Sequence, residues 1–252
     1  MRIALGIEYD GTNYCGWQRQ DNVCTIQEKV EDALSQIAVQ PIKVICAGRT
    51  DAGVHALGQV VHFDTDAKRS DQAWIMGTNC NLPADIRVLW ARHVADDFHA
   101  RYSATARQYR YIIYNNKVAS AILRHRAMWS PFVLNEKSMH EAGQYLIGKH
   151  DFSSFRGSGC QAKTAERTVI SLVVARNGHM ITIDIKANAF LLHMVRSIVG
   201  MLVKVGKGDK PPSWAQEVLI ARDRKVPAVI TAPAQGLYLV GVGYEQDLQF
   251  NS

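Results

Sequence analysis

Between Ile3 and Val94 the apolar residues switch between a period of two and a period near 3.6, and the order of those switches leaves few folds open. Ile3, Leu5, Ile7 and Tyr9 alternate as a strand does, and Asp10-Gly11-Thr12-Asn13 supplies turn chemistry after them. Thr25 stands as a helix N-cap with Glu28 three residues on, the spacing of a capping box, and Ile26, Val30, Ala33, Leu34 and Ile37 line one helical face up to Pro41. Two short strand-like runs follow, 42–47 and 59–63, then a helix over 70–80 ending near Pro83, then a strand over 86–94. The order is β-α-β-β-α-β, which predicts the split βαβ or ferredoxin-like arrangement: an antiparallel sheet with helices on one face.

The second half repeats that order with insertions. A strand is expected over 108–114, a helix over 136–147 and a hairpin of 168–176 with 180–187 turning at Asn177-Gly178. Helices over 191–205 and 214–222 precede a last strand, 237–244, and 96–107 reads as linker. The expectation is an α+β chain of two related halves, residues 1–95 and 106–252, whose antiparallel sheets join, with an active-site cleft between them. No sequence identity is visible between the halves, so duplication rests on element order alone.

With 252 residues, 47% of them hydrophobic, the chain has material for a full core, which argues against disorder as its main state. Five cysteines, odd in number and never spaced C-x-x-C, favour neither a disulfide framework nor a cysteine zinc site and suit a reducing compartment. No apolar run reaches membrane-spanning length, and the first residues turn acidic at Glu8 and Asp10, unlike a signal peptide. A cytoplasmic location is therefore expected. The formal charge of +6 suits an anionic partner without requiring one. More telling, Arg101, Arg107 and Arg110 crowd one segment with Tyr102, Tyr109, Tyr111 and Tyr114, which sets cations for phosphates beside rings for stacking on bases.

The densest chemistry lies in Cys46–Asp64, where Asp51 sits between Arg49 and Gly53 in a stretch too glycine-rich for a helix and too polar for a buried strand. A carboxylate on a loop held between strands is well placed to react. His55, His62 and Asp64 invite a metal-site reading with Asp51. Although His62 and Asp64 share a strand face, nothing in the spacing gathers all four around one point, so no metal is expected. The loop Arg156-Gly157-Ser158-Gly159 lacks the lysine and hydroxyl of a phosphate-cradling P-loop.

Several blocks then occur in one order across nearly the whole chain: Glu8-Tyr9-Asp10-Gly11, Gly16-Trp17-Gln18, Gly48-Arg49-Thr50-Asp51-Ala52-Gly53-Val54-His55 and Phe98-His99-Ala100-Arg101-Tyr102-Ser103-Ala104. Tyr109-Arg110-Tyr111, Gly159-Cys160-Gln161, Phe190-Leu191-Leu192-His193-Met194-Val195-Arg196 and Gly236-Leu237-Tyr238-Leu239 complete the set. In these the chain resembles the bacterial tRNA pseudouridine synthases. The resemblance implies an isomerase that converts uridine to pseudouridine in the anticodon stem-loop of tRNA, at positions 38, 39 and 40. The bond from ribose C1′ to uracil N1 breaks and one to C5 forms with no net gain or loss of atoms, so neither a cofactor nor a metal is implied.

On that resemblance Asp51 is the catalytic carboxylate, attacking C1′ or C6 or removing a ribose proton toward a glycal. Burial disfavours a charged carboxylate, so a cation is needed beside it, and the resemblance gives that part to Arg196. Tyr109 matches the tyrosine that would stack on the target uracil and take part in proton transfer. Arg49 falls where it would fill the space a flipped base leaves or bind its phosphate. Arg101 and Arg110 are expected at substrate phosphates, and His55 at the same site as a substrate-binding residue or a loop-ordering hydrogen bonder. A homodimer with tRNA lying across both subunits is likewise implied. Two readings of other classes stand beside this one: a non-catalytic RNA-binding protein, weakened by the absence of an RNA-recognition-motif signature, and a metal-dependent hydrolase built on Asp51 and the histidines.

Overall fold

The computed structural model describes residues 1–223, 225 and 229–245. Among these are ten strands and five α-helices, and the chain divides into two compact units, Met1–Thr105 with the strand from Tyr238 on, and Ala106–Leu237.

In the first unit β1 (Arg2–Tyr9) is flanked by β4 (Ile86–Val94) and β3 (His55–Asp64), antiparallel to both. The alternation at Ile3, Leu5 and Ile7 suggests one covered face, yet Ala4 and Gly6 between them are buried as well. At Gly6 the reason is Trp90 of β4, whose indole lies where a Cβ on Gly6 would stand. Helices α1 (Ile26–Ala38) and α2 (Asp71–Asn81) follow β1 and β3 in the chain and pack on each other. Ser70 caps α2, its hydroxyl accepting from the Ala73 N–H at 3.2 Å. The capping box expected at α1 is not formed: Thr25 holds the cap position without a side-chain cap bond, and the Glu28 carboxylate faces Arg19 at 3.8 Å.

The outer edge of β3 is shared. At its far end β2, only Ile45–Cys46 rather than the expected 42–47, pairs antiparallel with Val61 and His62. At its near end the last strand, β10 (Leu237–Tyr244), pairs with His55 and Ala56 and runs parallel. The expectation of purely antiparallel pairing is therefore corrected here. A strand that returns after a long excursion is under no hairpin constraint on its direction.

The second unit has the strand order β5 (Ala104–Asn115), β9 (Met180–Ala187), β8 (Glu166–Asn177), β7 (Gly148–Asp151), each antiparallel to its neighbour. The short β6 (Met128–Ser130) adds a second parallel pairing, to the end of β5. The β8–β9 hairpin turns at Gly178, whose φ of 56° suits the Asn-Gly turn. Helix α3 (Glu136–Gln144) stops short of the expected 147, and Gly148, at φ 105°, opens β7 instead. α3 packs on β8 and on α4 (Met194–Gly206), and α5 (Trp214–Ala221) touches both helices. None of the described helices is long and apolar enough to cross a membrane.

Candidate active site

The segment that carries Asp51 has no regular structure of its own, so its conformation must come from neighbours, and residues 9–17 supply them. Backbone bonds run from the Trp17 N–H to the Thr50 carbonyl (3.0 Å) and from the Gly53 N–H to the Tyr14 carbonyl (3.4 Å), and the turn closes on itself from the Val54 N–H to the Asp51 carbonyl (3.1 Å). The Thr50 hydroxyl meets the Tyr9 phenol at 2.7 Å inside the core. Two glycines make this fit. Gly16 has φ +87°, with the Thr50 carbonyl 2.8 Å from where its Cβ would stand, and Gly11 lies against the Val54 carbonyl in the same way.

Beyond the turn the support continues. Trp17 is buried with its ring tilted against Tyr9, centroids 5.8 Å apart. Tyr14 donates its phenol to Asp85 at 2.5 Å, and burial together with that bond holds the phenol well above its ordinary range. Arg19 and Lys43 both reach the buried Glu31 carboxylate of α1, at 3.3 and 3.1 Å, which ties the loop after Trp17 to the helix. On the strand side the Ala47 N–H bonds the Val60 carbonyl (2.8 Å), and Gln59 donates to the Gly48 carbonyl (2.6 Å). Asp51 is thus half-buried at the tip of a turn fixed on both flanks, with Arg49 exposed beside it.

His55, expected among the substrate-binding residues, is 2% exposed. Its Nδ1 accepts from the Gly11 N–H at 3.1 Å and lies 3.0 Å from an Asp10 carboxylate oxygen, and its ring stacks on Tyr238 of β10 at 4.7 Å. It orders the turn from inside. Arg101 is exposed in the turn before β5, its guanidinium 5.7 Å above the Tyr102 ring. His62 and Asp64 do face one side of β3, but the Asp64 carboxylate is taken by Arg2 at 2.8 Å through both oxygens, and His62 Nδ1 accepts from the Ala100 N–H. Among the described residues no three histidine, cysteine or carboxylate side chains converge as metal ligands would.

The other expected residues belong to the second unit. Tyr109 and Tyr111 lie two apart on β5 and so share a buried face, and the Tyr109 ring meets Phe190 edge-on at 5.1 Å. Arg196 is in the first turn of α4, where the helix dipole offers a cation no support. Carbonyl oxygen supplies it instead: Arg196 Nε donates to Ala232 O at 2.7 Å, and the Ala232 N–H returns a bond to Arg196 O at 3.0 Å. Burial holds the Tyr111 phenol far above its ordinary range, and the Arg196 cation pulls against that shift, so Arg196 and Tyr111 lie within electrostatic reach of each other. The Tyr111 hydroxyl donates to Pro233 O at 2.7 Å, one residue beyond the Arg196 anchor. Arg110 lies between the two tyrosines on the opposite face, in a direct cross-strand ion pair with Asp184 at 2.8 Å. The structure therefore sets Tyr109 on the same face of β5 as Tyr111, which lies within reach of Arg196, and leaves Arg110 on the opposite face.

The first unit thus holds a carboxylate at the tip of a braced turn, and the second holds two tyrosines and an arginine. A family model described as tRNA pseudouridine synthase matches residues 6–103 and 142–245, and the chain belongs to that family. Relatives called tRNA pseudouridine synthase A are similar over nearly their whole length. That of Colwellia psychrerythraea is 56% identical over 249 residues, 99% of this chain and 96% of the relative. That of Vibrio atlanticus is 58% identical over 98% of this chain and 93% of its own, and that of Coxiella burnetii 57% over 96% and 93%.

Proposed function

We propose that this protein isomerises uridine to pseudouridine in the anticodon stem-loop of tRNA, at positions 38, 39 and 40, with Asp51 as the nucleophile. The observation that carries the reading is the half-buried Asp51 carboxylate at the tip of a turn whose backbone is fixed by residues 9–17 on one side and by β3 on the other. A group held that firmly loses little entropy on meeting the reacting atom. Detachment of uracil from C1′, its rotation and its reattachment through C5 call for a carboxylate that adds to C1′ or C6 or takes a ribose proton, and Asp51 takes that part.

Tyr109 and Arg196 serve the same reaction, the ring against the detached base and the guanidinium as the basic group of the site. The bond from Arg196 Nε to Ala232 supports this role, because it fixes the plane of the guanidinium. Arg49, Arg101 and Arg110 bind phosphates, with Arg110 acting from the outer face of β5. In this reading residues 1–95 supply the carboxylate and 106–252 the tyrosine and arginine. The strand orders support taking each half as a split βαβ fold. The working form is a cytoplasmic homodimer with tRNA spanning both subunits.

Mapping pseudouridine by position in unmodified tRNA transcripts, with wild-type protein and Asp51→Asn side by side, tests the assignment. Product in the anticodon stem-loop from the wild type alone, at equal RNA affinity, is expected. Product from both proteins would remove Asp51 as nucleophile, and RNA binding without product from either would leave a binding protein only.

A further inference from the structure

Outside the residues given catalytic parts, the first unit carries one cluster of rings that its fold does not require. Tyr102 is 77% exposed, yet its ring is held rather than loose. It lies on His99 with centroids 4.3 Å apart at 31°, and His99 in turn lies 4.8 Å from the buried His62 of β3. His99 Nδ1 accepts two backbone N–H groups, from Arg101 at 3.2 Å and Tyr102 at 3.1 Å, so the imidazole is fixed in plane and in its neutral state. Burial and the nearby arginines hold its basicity below the ordinary histidine range in the same sense.

The turn beneath these rings is fastened at each step. Arg2 donates to the carbonyls of Asp96 and Phe98, at 2.5 and 2.9 Å, while its other nitrogens hold Asp64. The Ala100 N–H bonds His62 Nδ1 at 3.1 Å, and the Tyr244 phenol donates to Ala100 O at 2.8 Å. Ser103 closes the turn by bonding His99 in both directions. Very little entropy remains for a ligand to remove. A large aromatic left in water on so firm a base, with the Arg101 guanidinium beside it, has the form of a stacking platform for a flat group attached to an anion.

The position of the platform relative to the Asp51 turn fixes the kind of ligand. Burial pushes the Cys46 thiol up to about 11, and Arg49 and Arg101 are the cations that pull it back, so both guanidinium groups lie within reach of this one residue. Arg49 belongs to the Asp51 turn and Arg101 to the platform. A backbone running between the two would keep meeting positive charge. Along β3 the platform end at His62 is seven residues from the turn end at His55, roughly 20 Å at strand spacing. That is several nucleotides of a stacked strand at about 3.4 Å each.

We propose that Tyr102, stacked on His99 and flanked by Arg101, holds an unpaired base of the substrate RNA several nucleotides from the uridine that Asp51 attacks. This rests on the reading of the protein as a tRNA-modifying enzyme and adds to it a second point of contact that secures register. Tyr102 is a positioning residue: it touches RNA but not the reacting base.

The test measures the dissociation constant for an unmodified tRNA transcript, its salt dependence, and kcat and KM for pseudouridine formation, in full-length wild type, Tyr102→Ala, Tyr102→Leu and Tyr102→Phe. Thermal unfolding of each variant checks that the turn is intact. Alanine and leucine are expected to weaken binding and raise KM about tenfold while kcat and the salt slope stay as in the wild type. Phenylalanine is expected to retain wild-type affinity. A loss under threefold in both alanine and leucine variants, or an equal loss in phenylalanine, would overturn the platform. If the wild type itself neither binds nor modifies tRNA, the functional reading falls, and that outcome is visible before any variant is made.

Discussion

At the scale of single residues the clearest consequence concerns His62. Its ring is 2% exposed in the core between β3 and the 98–103 turn, and burial, with His99 and Arg2 adding to it, lowers its pKa to about 4. The unfolded chain binds that proton near pH 6.5, so the unfolded state holds more protons throughout the interval. Stability from this group is complete above about pH 6.5 and is lost as pH falls toward about 4. Urea unfolding of wild type and His62→Gln across pH 4 to 7 is the measurement. The variant, which keeps an acceptor for the Ala100 N–H, is expected to show a shallower decline, and parallel curves would remove His62 as the cause. A second residue-scale outcome concerns Arg196. Replacement by lysine keeps the charge but gives up the guanidinium plane, so a fall in kcat of tenfold or more is expected for Arg196→Lys with tRNA affinity little changed. Residue chemistry was the most legible level. Asp51, Tyr109 and Arg196 stand in motifs readable in the chain, whereas Tyr111 and the His99–Tyr102 stack owe their significance to neighbours far away in sequence.

At the scale of elements the prediction comes from a helix end. α1 closes through Val39 in the left-handed region at φ 55°, its N–H bonded to Ser35 O, and the side chain is 82% exposed. A β-branched residue there stores strain and loses almost no packing if replaced. Val39→Gly is therefore expected to raise stability by about 1 kcal/mol, read as a higher urea midpoint; an unchanged or lower midpoint would count against the strain. Gly16→Ala is expected to act in the opposite sense. A methyl group at φ +87° and 2.8 Å from the Thr50 carbonyl must move the Asp51 turn, so activity should fall by more than the loss of stability accounts for. Elements bounded by turn chemistry were readable to the residue, as 86–94, 180–187 and 237–244 show against β4, β9 and β10. Those shaped by tertiary contact were not. β3 begins at His55 rather than 59 because β10 gives His55 and Ala56 a partner, and residues 42–44 are not strand, pairing with nothing regular. The buttress of residues 9–17 has no periodicity, since it acts through backbone bonds and two glycines.

At the scale of the whole molecule the formal charge of +6 makes the encounter with tRNA depend on salt. Affinity is expected to fall linearly on logarithmic axes with ionic strength, and Arg101→Gln to lower the slope by about one phosphate contact. An Arg101→Gln slope equal to that of the wild type would take Arg101 away from the RNA backbone. Sedimentation at working concentration checks the dimer, for which a dimeric active species is expected. Element order was legible among the described residues except for the short strands β6 and β7, which fall inside the insertions of the second half. The neighbour of β10 was not, because the residues it joins are separated by most of the sequence, and no local pattern records such a pairing. That pairing has a consequence for folding. The strand that backs His55 and the Tyr238 ring that covers it are distant from the Asp51 turn in sequence, so the contact costs the loop-closure entropy of a long-range pairing before it returns any stability. Until it closes, the Asp51 turn stands without the wall behind it. A chain cut before Tyr238 is expected to keep Asp51, Tyr109 and Arg196 and to hold Asp51 on an unbacked turn.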